Sequence, residues 1–248
     1  MLVKQKIKYI QTLGQKKFRE QEGVFIAEGP KLVKELLEAD ALSVKEIYAV
    51  KEWIDNDLPG VRHNKKIPAV EEITTIQLEQ ISQLVTPNKV VAVVQQYETG
   101  TAITVKDRVT LALYNLQDPG NLGTIIRIAD WFGIAQIVCS PDCADLYNPK
   151  VVQATMGSIA RVKVYYRELE EWLATQSAGG IYAATLAGND ITTMEKINEG
   201  IIIIGNESKG ISPALAKLAT ARITIPQKGK AESLNAAVAT GIILSHLI

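Results

Sequence analysis

Three short stretches of this chain gather polar and glycine residues where an ordinary fold needs only a turn. The first, Asn115-Leu116-Gln117-Asp118-Pro119-Gly120-Asn121-Leu122-Gly123-Thr124, runs into an apolar segment that carries Arg127. The second is Gly205-Asn206-Glu207-Ser208-Lys209-Gly210-Ile211-Ser212, directly after four isoleucines. The third starts as the β-branched run Arg222 to Ile225, turns through Pro226-Gln227-Lys228-Gly229-Lys230, and enters an oily C-terminal segment by way of Ser233-Leu234-Asn235. An arginine on an apolar helix usually has an anionic partner, because its guanidinium stays charged and offers five donors. Each stretch also has a purely structural reading. Asp118-Pro119-Gly120-Asn121 is a turn followed by a cap, Ser212 can cap a helix that starts at Pro213, and Ser233 or Asn235 can cap the last helix. Three such ends in one sheet are harder to assign to capping alone.

Other chemistries lack their residues. The glycine fingerprint of a dinucleotide site and the Walker phosphate loop are both absent. No carboxylate cluster stands ready for a divalent metal. No plausible Ser-His-Asp set stands out: His63 lies in the first hundred residues and His246 near the end of the last helical segment. Cys139 and Cys143 form one C-x3-C pair with no second pair, whereas a zinc site needs about four ligands. They read as free thiols, and no metal is expected. Residue types and spacing therefore reach a nucleotide-like ligand site, independent of metal, in an α/β domain.

The elements around these stretches explain how they would meet. From Val109 onward, strand-like segments that are mostly apolar and not alternating (109–116, 135–139, 162–166, 181–185, 200–205, 222–226) are interspersed with helical segments. Such an arrangement predicts a mostly parallel sheet with helices on both faces, and ligands of such sheets sit beyond the carboxyl ends of the strands. The first hundred residues read as a smaller α/β unit. Its opening stretch carries Lys4, Lys6, Lys8, Lys16, Lys17 and Arg19 with no acid among them, either a solvated helix face or a basic patch. A second helix begins at Pro30, with Leu32, Val33, Leu36 and Leu37 as its apolar stripe. A polar, small-residue stretch separates the two parts, giving 1–97, a linker at 98–107, and 108–248. Twenty-seven basic and 27 acidic residues cancel, so no overall basic footprint argues for nucleic acid. With no signal-peptide core and no apolar run near ~20 residues, the expectation is a cytoplasmic protein without a membrane partner.

Taken in order, the three stretches resemble the signature motifs of the SpoU/TrmH branch of the SPOUT methyltransferases. Asn-x-x-Asp-Pro-x-Asn-x-Gly-x-x-x-Arg-x-Ala matches from Asn115 to Ala129. The second motif matches at 204–212, and the third from Ile223 through Pro226 to Ser233-Leu234-Asn235-Ala236-Ala237-Val238-Ala239. The resemblance covers nearly all of 109–248. The first hundred residues, through Phe25-Ile26-Ala27-Glu28-Gly29 and the helix after it, look like the RNA-binding domain often attached to these enzymes.

The resemblance implies transfer of a methyl group from S-adenosylmethionine to a ribose 2′-hydroxyl of RNA. Ribosomal RNA is favoured over tRNA, and the alternative is a catalytically silent RNA-binding assembly protein of the same fold. It implies a deep trefoil knot, which general topology rules would reject, and a homodimer in which each site borrows from the partner. By position it assigns the cofactor to Gly205, Ile225 and Leu234, with Thr185 or Leu186, mostly through backbone groups. It makes Arg127 the central catalytic residue, surrounded by Asn121, Glu207, Ser233 and Asn235. A guanidinium that stays protonated is no base. In this expectation Arg127 binds an RNA phosphate that takes or relays the hydroxyl proton. Asn121 and Glu207 orient it, while Ser233 and Asn235 hold the ribose or phosphate.

Overall fold

The computed structural model describes residues 2–61, 67–98, 100, 102–177 and 179–248; His63 and the linker residues Thr99 and Thr101 lie outside them. The chain divides into two compact units. One joins Met1–Glu98 to Asp145–Arg161, and the other joins Thr99–Ala144 to Val162–Ile248. The segment Asp145–Arg161, interior to the 108–248 region in sequence, thus groups with the first unit.

The first unit contains helices α1 (Lys4–Thr12), α2 (Lys16–Glu22), α3 (Pro30–Glu38), α4 (Lys51–Asn56) and α5 (Thr75–Ile81). Its strands are β1 (Val24–Glu28), β2 (Val44–Ala49), β3 (Val70–Glu72) and β4 (Val90–Gln95), in sheet order β1-β4-β2-β3. β4 runs antiparallel to β1 and β2, while β3 is parallel to β2. Pro30 occupies the first turn of α3, where its missing N–H costs nothing, and Leu32, Val33 and Leu36 are buried beneath that helix. A capping box starts α5: Thr74 Oγ1 accepts from Gln77 N–H at 3.2 Å, and Gln77 Oε1 accepts from Thr74 N–H at 3.1 Å.

The basic opening stretch is neither one helix nor one cationic face. It breaks between α1 and α2. Lys6 pairs with Glu46 at 2.8 Å and Lys16 with Glu20 at 3.6 Å, and Arg19 is buried with 2% of its surface exposed. The Arg19 guanidinium donates to the carbonyls of Leu13 and Gly14 and to Asp145 Oδ2 at 2.6 Å. Aromatic packing holds the same segment: Tyr147 stacks on Phe25 at 5.0 Å, meets Tyr97 edge-on at 5.9 Å, and accepts from the Tyr97 N–H. At its far end Arg161 pairs with Glu35 at 2.9 Å. Gly157 (φ +100°) lies so close to Glu35 that an added Cβ would sit 2.7 Å from the Glu35 Cβ.

The second unit contains β5 (Val109–Leu113), α6 (Pro119–Trp131) and β6 (Gln136–Cys139). After the segment that carries α7 (Pro149–Thr155) come β7 (Lys163–Tyr166), α8 (Leu169–Ala174), β8 (Gly180–Asp190), β9 (Gly200–Ile204), α9 (Pro213–Leu218), β10 (Ala221–Thr224) and α10 (Ala236–Leu247). All six strands are parallel, in the order β10-β8-β9-β5-β6-β7. β5 and β9 are buried at every residue, as expected of central strands covered on both faces. β8 is longer than the run 181–185 predicts. Its pairing with β10 jumps from Ala183–Arg222 to Asn189–Ile223, so residues 184–188 loop out before the strand resumes. Gly188 permits the return, because a Cβ there would lie 2.6 Å from the carbonyl carbon of Arg222. No helix among the described residues is long and apolar enough to cross a membrane.

Candidate active site

In a sheet whose strands all point one way, every carboxyl end lies along one edge. From β5 the chain steps outward through β6 to β7. On the other side, β5 is flanked by β9, so the winding reverses between β5 and β9. A crevice opens beyond the carboxyl ends at such a point. The first motif leaves β5 and the second leaves β9, so the two are neighbours there. The third leaves β10 and returns to them through α10, which packs on α6.

Local chemistry shapes each end. Asp118 caps α6, its Oδ1 accepting the Asn121 N–H at 2.7 Å, and Pro119 fills the first turn. Asn235 caps α10 by accepting the N–H groups of Ala237 at 2.9 Å and Val238 at 3.2 Å. An amide has two ends, and the other end of Asn235 reaches across the chain. Its Nδ2 donates to Asn121 Oδ1 at 2.8 Å, and Asn121 Nδ2 donates to Glu207 Oε1 at 2.6 Å. A single line of side chains, Asn235–Asn121–Glu207, therefore ties together all three motifs. The capping reading and the binding reading of Asn235 are compatible, because each uses a different end of the amide.

Not every predicted site residue joins this line. Arg127 is exposed on α6, and among the described residues no hydrogen bond or ion pair engages its guanidinium. Asn121 and Glu207 bond to one another and not to Arg127. Ser233 is exposed one turn before α10. Thr185 closes the outlooped part of β8, its hydroxyl donating to the Ala187 carbonyl at 2.8 Å, and next to it Leu186 is 77% exposed. Leu234 is 45% exposed, and Ile225 half-buried. Gly205 is packed so tightly that an added Cβ would lie 2.5 Å from the Gly210 carbonyl carbon.

Sequence reasoning misses Asn206. Its Nδ2 donates to the Asn115 carbonyl at 2.9 Å, and its Oδ1 accepts from Ser208 N–H at 2.9 Å and Lys209 N–H at 3.0 Å. Its backbone pairs with Gly210 in both directions. Asn206 thus fixes the turn that presents Glu207 and fastens it to the end of β5. The available signal is an asparagine beside a glycine-bounded turn, a residue that readily bonds the backbone two positions on. Asn115 itself has φ 54°, a left-handed conformation that asparagine tolerates better than most residues.

The two cysteines lie under the same loop. Both are free and buried. Cys143 Sγ accepts the Leu116 N–H at 3.3 Å and approaches the Leu113 carbonyl at 3.2 Å, bracketing the turn into the first motif. A hydrogen bond from Cys139, aided by Ser140 and the Leu116 N–H, lowers the Cys143 thiol to about 7 against the opposing effect of burial. Beside the relay, α6 and α10 leave a shallow groove of about 340 Å³ lined by Asn121, Thr124, Ile128, Asn235, Val238 and Ile242.

Comparison with known proteins points to one family. The model of the SpoU rRNA Methylase family matches residues 108–245, and that of the MRM3-like substrate binding domain matches residues 4–92. The chain is 32% identical to the 23S rRNA (guanosine(2553)-2′-O)-methyltransferase RlmP of Bacillus subtilis, over 98% of this chain and 96% of that one. An AdoMet-bound rRNA methyltransferase from Sinorhizobium meliloti superposes with a TM-score of 0.85 at 32% identity, covering 100% of this chain and 95% of that one. The SpoU methyltransferase AviRb from Streptomyces viridochromogenes shares the fold, with a TM-score of 0.82 at 24% identity over 97% and 96% of the two chains.

Proposed function

Because the chain belongs to the SpoU rRNA methylase family, we propose that it transfers a methyl group from S-adenosylmethionine to a ribose 2′-hydroxyl of ribosomal RNA. The observation that carries the reading is the Asn235–Asn121–Glu207 line, which joins the three motifs at the crevice edge of the sheet. A catalytically silent relative has no physical need to keep three polar side chains in mutual register.

The residues at this edge fit the cofactor. Leu186 and Leu234 offer exposed apolar surface suited to a purine face, and Gly205 and Ile225 offer backbone groups rather than charge. Thr185 or Leu186, Gly205, Ile225 and Leu234 would hold it, and when bound it supplies an activated methyl group on a sulfonium. The chain then has to position and polarise the acceptor more than to form covalent bonds. In this reading Glu207 fixes the amide of Asn121, Asn121 fixes that of Asn235, and Ser233 and Asn235 face the ribose. Arg127 gathers the RNA phosphate that takes the hydroxyl proton. Arg127→Ala should lower kcat for methylation of ribosomal RNA by roughly 10²–10³-fold, the usual loss when one charge-stabilising donor is removed. A near-wild-type rate would refute the assignment.

The exposed position of Arg127 also supports a dimer. It precedes Trp131 by one helical turn. Trp131 is 85% exposed and Val238 51% exposed, with half-buried Ile128 and Ile242 beside them on α6 and α10. A second copy seated on this apolar face would bury it and bring Arg127 of one subunit toward the relay of the other. Light scattering should give twice the chain mass, and Trp131→Glu should shift it to the monomer; a monomeric wild type would remove the dimer. The knot belongs to the same reading. α10 lies against both α6 and the connection before β9, where Ile197 N–H donates to the Leu247 carbonyl at 2.8 Å, as a threaded C-terminal segment would.

A further inference from the structure

The turn between β10 and α10 ends in the relay residue Asn235, but its earlier part, which carries Lys228 and Lys230, takes no part in the relay. Every residue from Pro226 to Asn235 is exposed. Gln227 folds back over the turn, its Nε2 donating to the Gly229 carbonyl at 3.1 Å and to the Ala231 carbonyl at 2.6 Å. This closure braces the loop from Gln227 to Ala231, and Lys228 and Lys230 within it are exposed. Neither has an ion-pair partner among the described residues. Lys209 is a third exposed cation with no ion pair among those residues, standing two positions after Glu207 in the turn that Asn206 fixes. The acids nearest in sequence are Glu207, bonded to Asn121, and Glu232, which lies beyond the stapled span.

A ribose inside an RNA strand has a phosphate on each side. A site that grips the sugar must therefore meet two negative charges close to it. Relay bonds join the second and third motifs through Asn121; Lys209 belongs to the second motif, and Lys228 and Lys230 belong to the third. We propose that Lys209, Lys228 and Lys230 clamp the phosphates flanking the target nucleotide, and that Gln227 is the positioning residue that presents two of them. This rests on the RNA methyltransferase reading. Lysine ammonium groups bind phosphate as point charges without reading a base, so the clamp supplies affinity and register, and sequence choice falls to other surfaces. It also answers the neutral net charge, since a few local cations suffice where no basic domain exists. Holding the loop in its bound shape beforehand reduces the ordering cost of binding.

The test is the salt dependence of RNA binding by the full chain, with a single-stranded oligouridylate as probe and S-adenosylmethionine binding measured in parallel. On a single strand, each phosphate neutralised by the protein adds about 0.7 to the steepness of log K against log salt. Lys228→Ala with Lys230→Ala should therefore flatten the slope by about 1.4 and leave cofactor affinity unchanged. Gln227→Met keeps the side-chain volume but has no donor, and should flatten the slope part of the way although both lysines remain. A wild-type slope in the double variant, or no oligouridylate binding by the parent chain, overturns the clamp. Failure of the parent chain to bind the cofactor strikes instead at the methyltransferase reading.

Discussion

Asn121→Ala should lower the methylation rate by about 10²-fold or more, the scale expected when reacting groups move by about an ångström. Its amide is the one link shared by the other two motifs, so both relay bonds break together. Folding should suffer less. Two partly exposed hydrogen bonds disappear, at about 0.5–1.5 kcal/mol each, and the backbone N–H that Asp118 caps remains in place. Asn121→Asp separates electrostatics from geometry. It keeps the shape but sets an anionic oxygen where a donor now lies 2.6 Å from Glu207, so it should be worse than alanine. Asparagine-to-aspartate is the milder change by size, and this site should reverse that order. Steady-state kinetics of the two variants, with cofactor affinity measured separately, checks the ranking. An aspartate variant more active than the alanine one would mean the relay is incidental.

That line of three side chains marks where sequence reading succeeds and where it stops. The central strands are legible because 109–113 and 200–204 are apolar apart from Thr110, and Pro119 and Pro213 announce helix starts. From two parallel central strands, the placement of their following turns on one edge follows. The bond from Asn235 to Asn121 does not, because it spans 114 positions and depends on where α10 returns. Local reasoning can offer Asn235 as a cap or as a ligand group, and only the fold shows its two ends serving both. Asn206 escapes notice for a similar reason: its function is to hold Asn115, 91 positions away. β8 reads too short because a buried parallel strand announces itself by a continuous apolar run. Gly188, Asn189 and Asp190 read as a turn that ends the run, whereas Gly188 brings the backbone back so that Asn189 and Asp190 pair with β10.

The opening basic stretch misleads for a deeper reason, and it yields the largest expected effect on stability. Charge alone gives no way to tell Arg19 from the lysines around it, because its partner Asp145 lies 126 positions on. Arg19→Ala should destabilise the first unit by about 3–5 kcal/mol, the usual consequence of stranding one half of a buried ion pair. Besides Asp145, the carbonyls of Leu13 and Gly14 would lose their donors. Arg19→Lys should recover little, since one ammonium cannot match the fork that reaches three acceptors. The pair is not therefore a source of net stability. Arg19 Nε is buried without a hydrogen-bond partner, which already weighs against the folded state. Replacing both members by apolar residues, as in Arg19→Met with Asp145→Leu, should recover most of the loss, because neither charge then has to leave water. Urea unfolding of the two single variants and the double variant closes the cycle. If the double variant were as unstable as the two singles combined, the ion pair would be ruled out as the link that fastens Asp145–Arg161 to the first unit. The Phe25–Tyr147–Tyr97 packing would then be left to hold that segment alone.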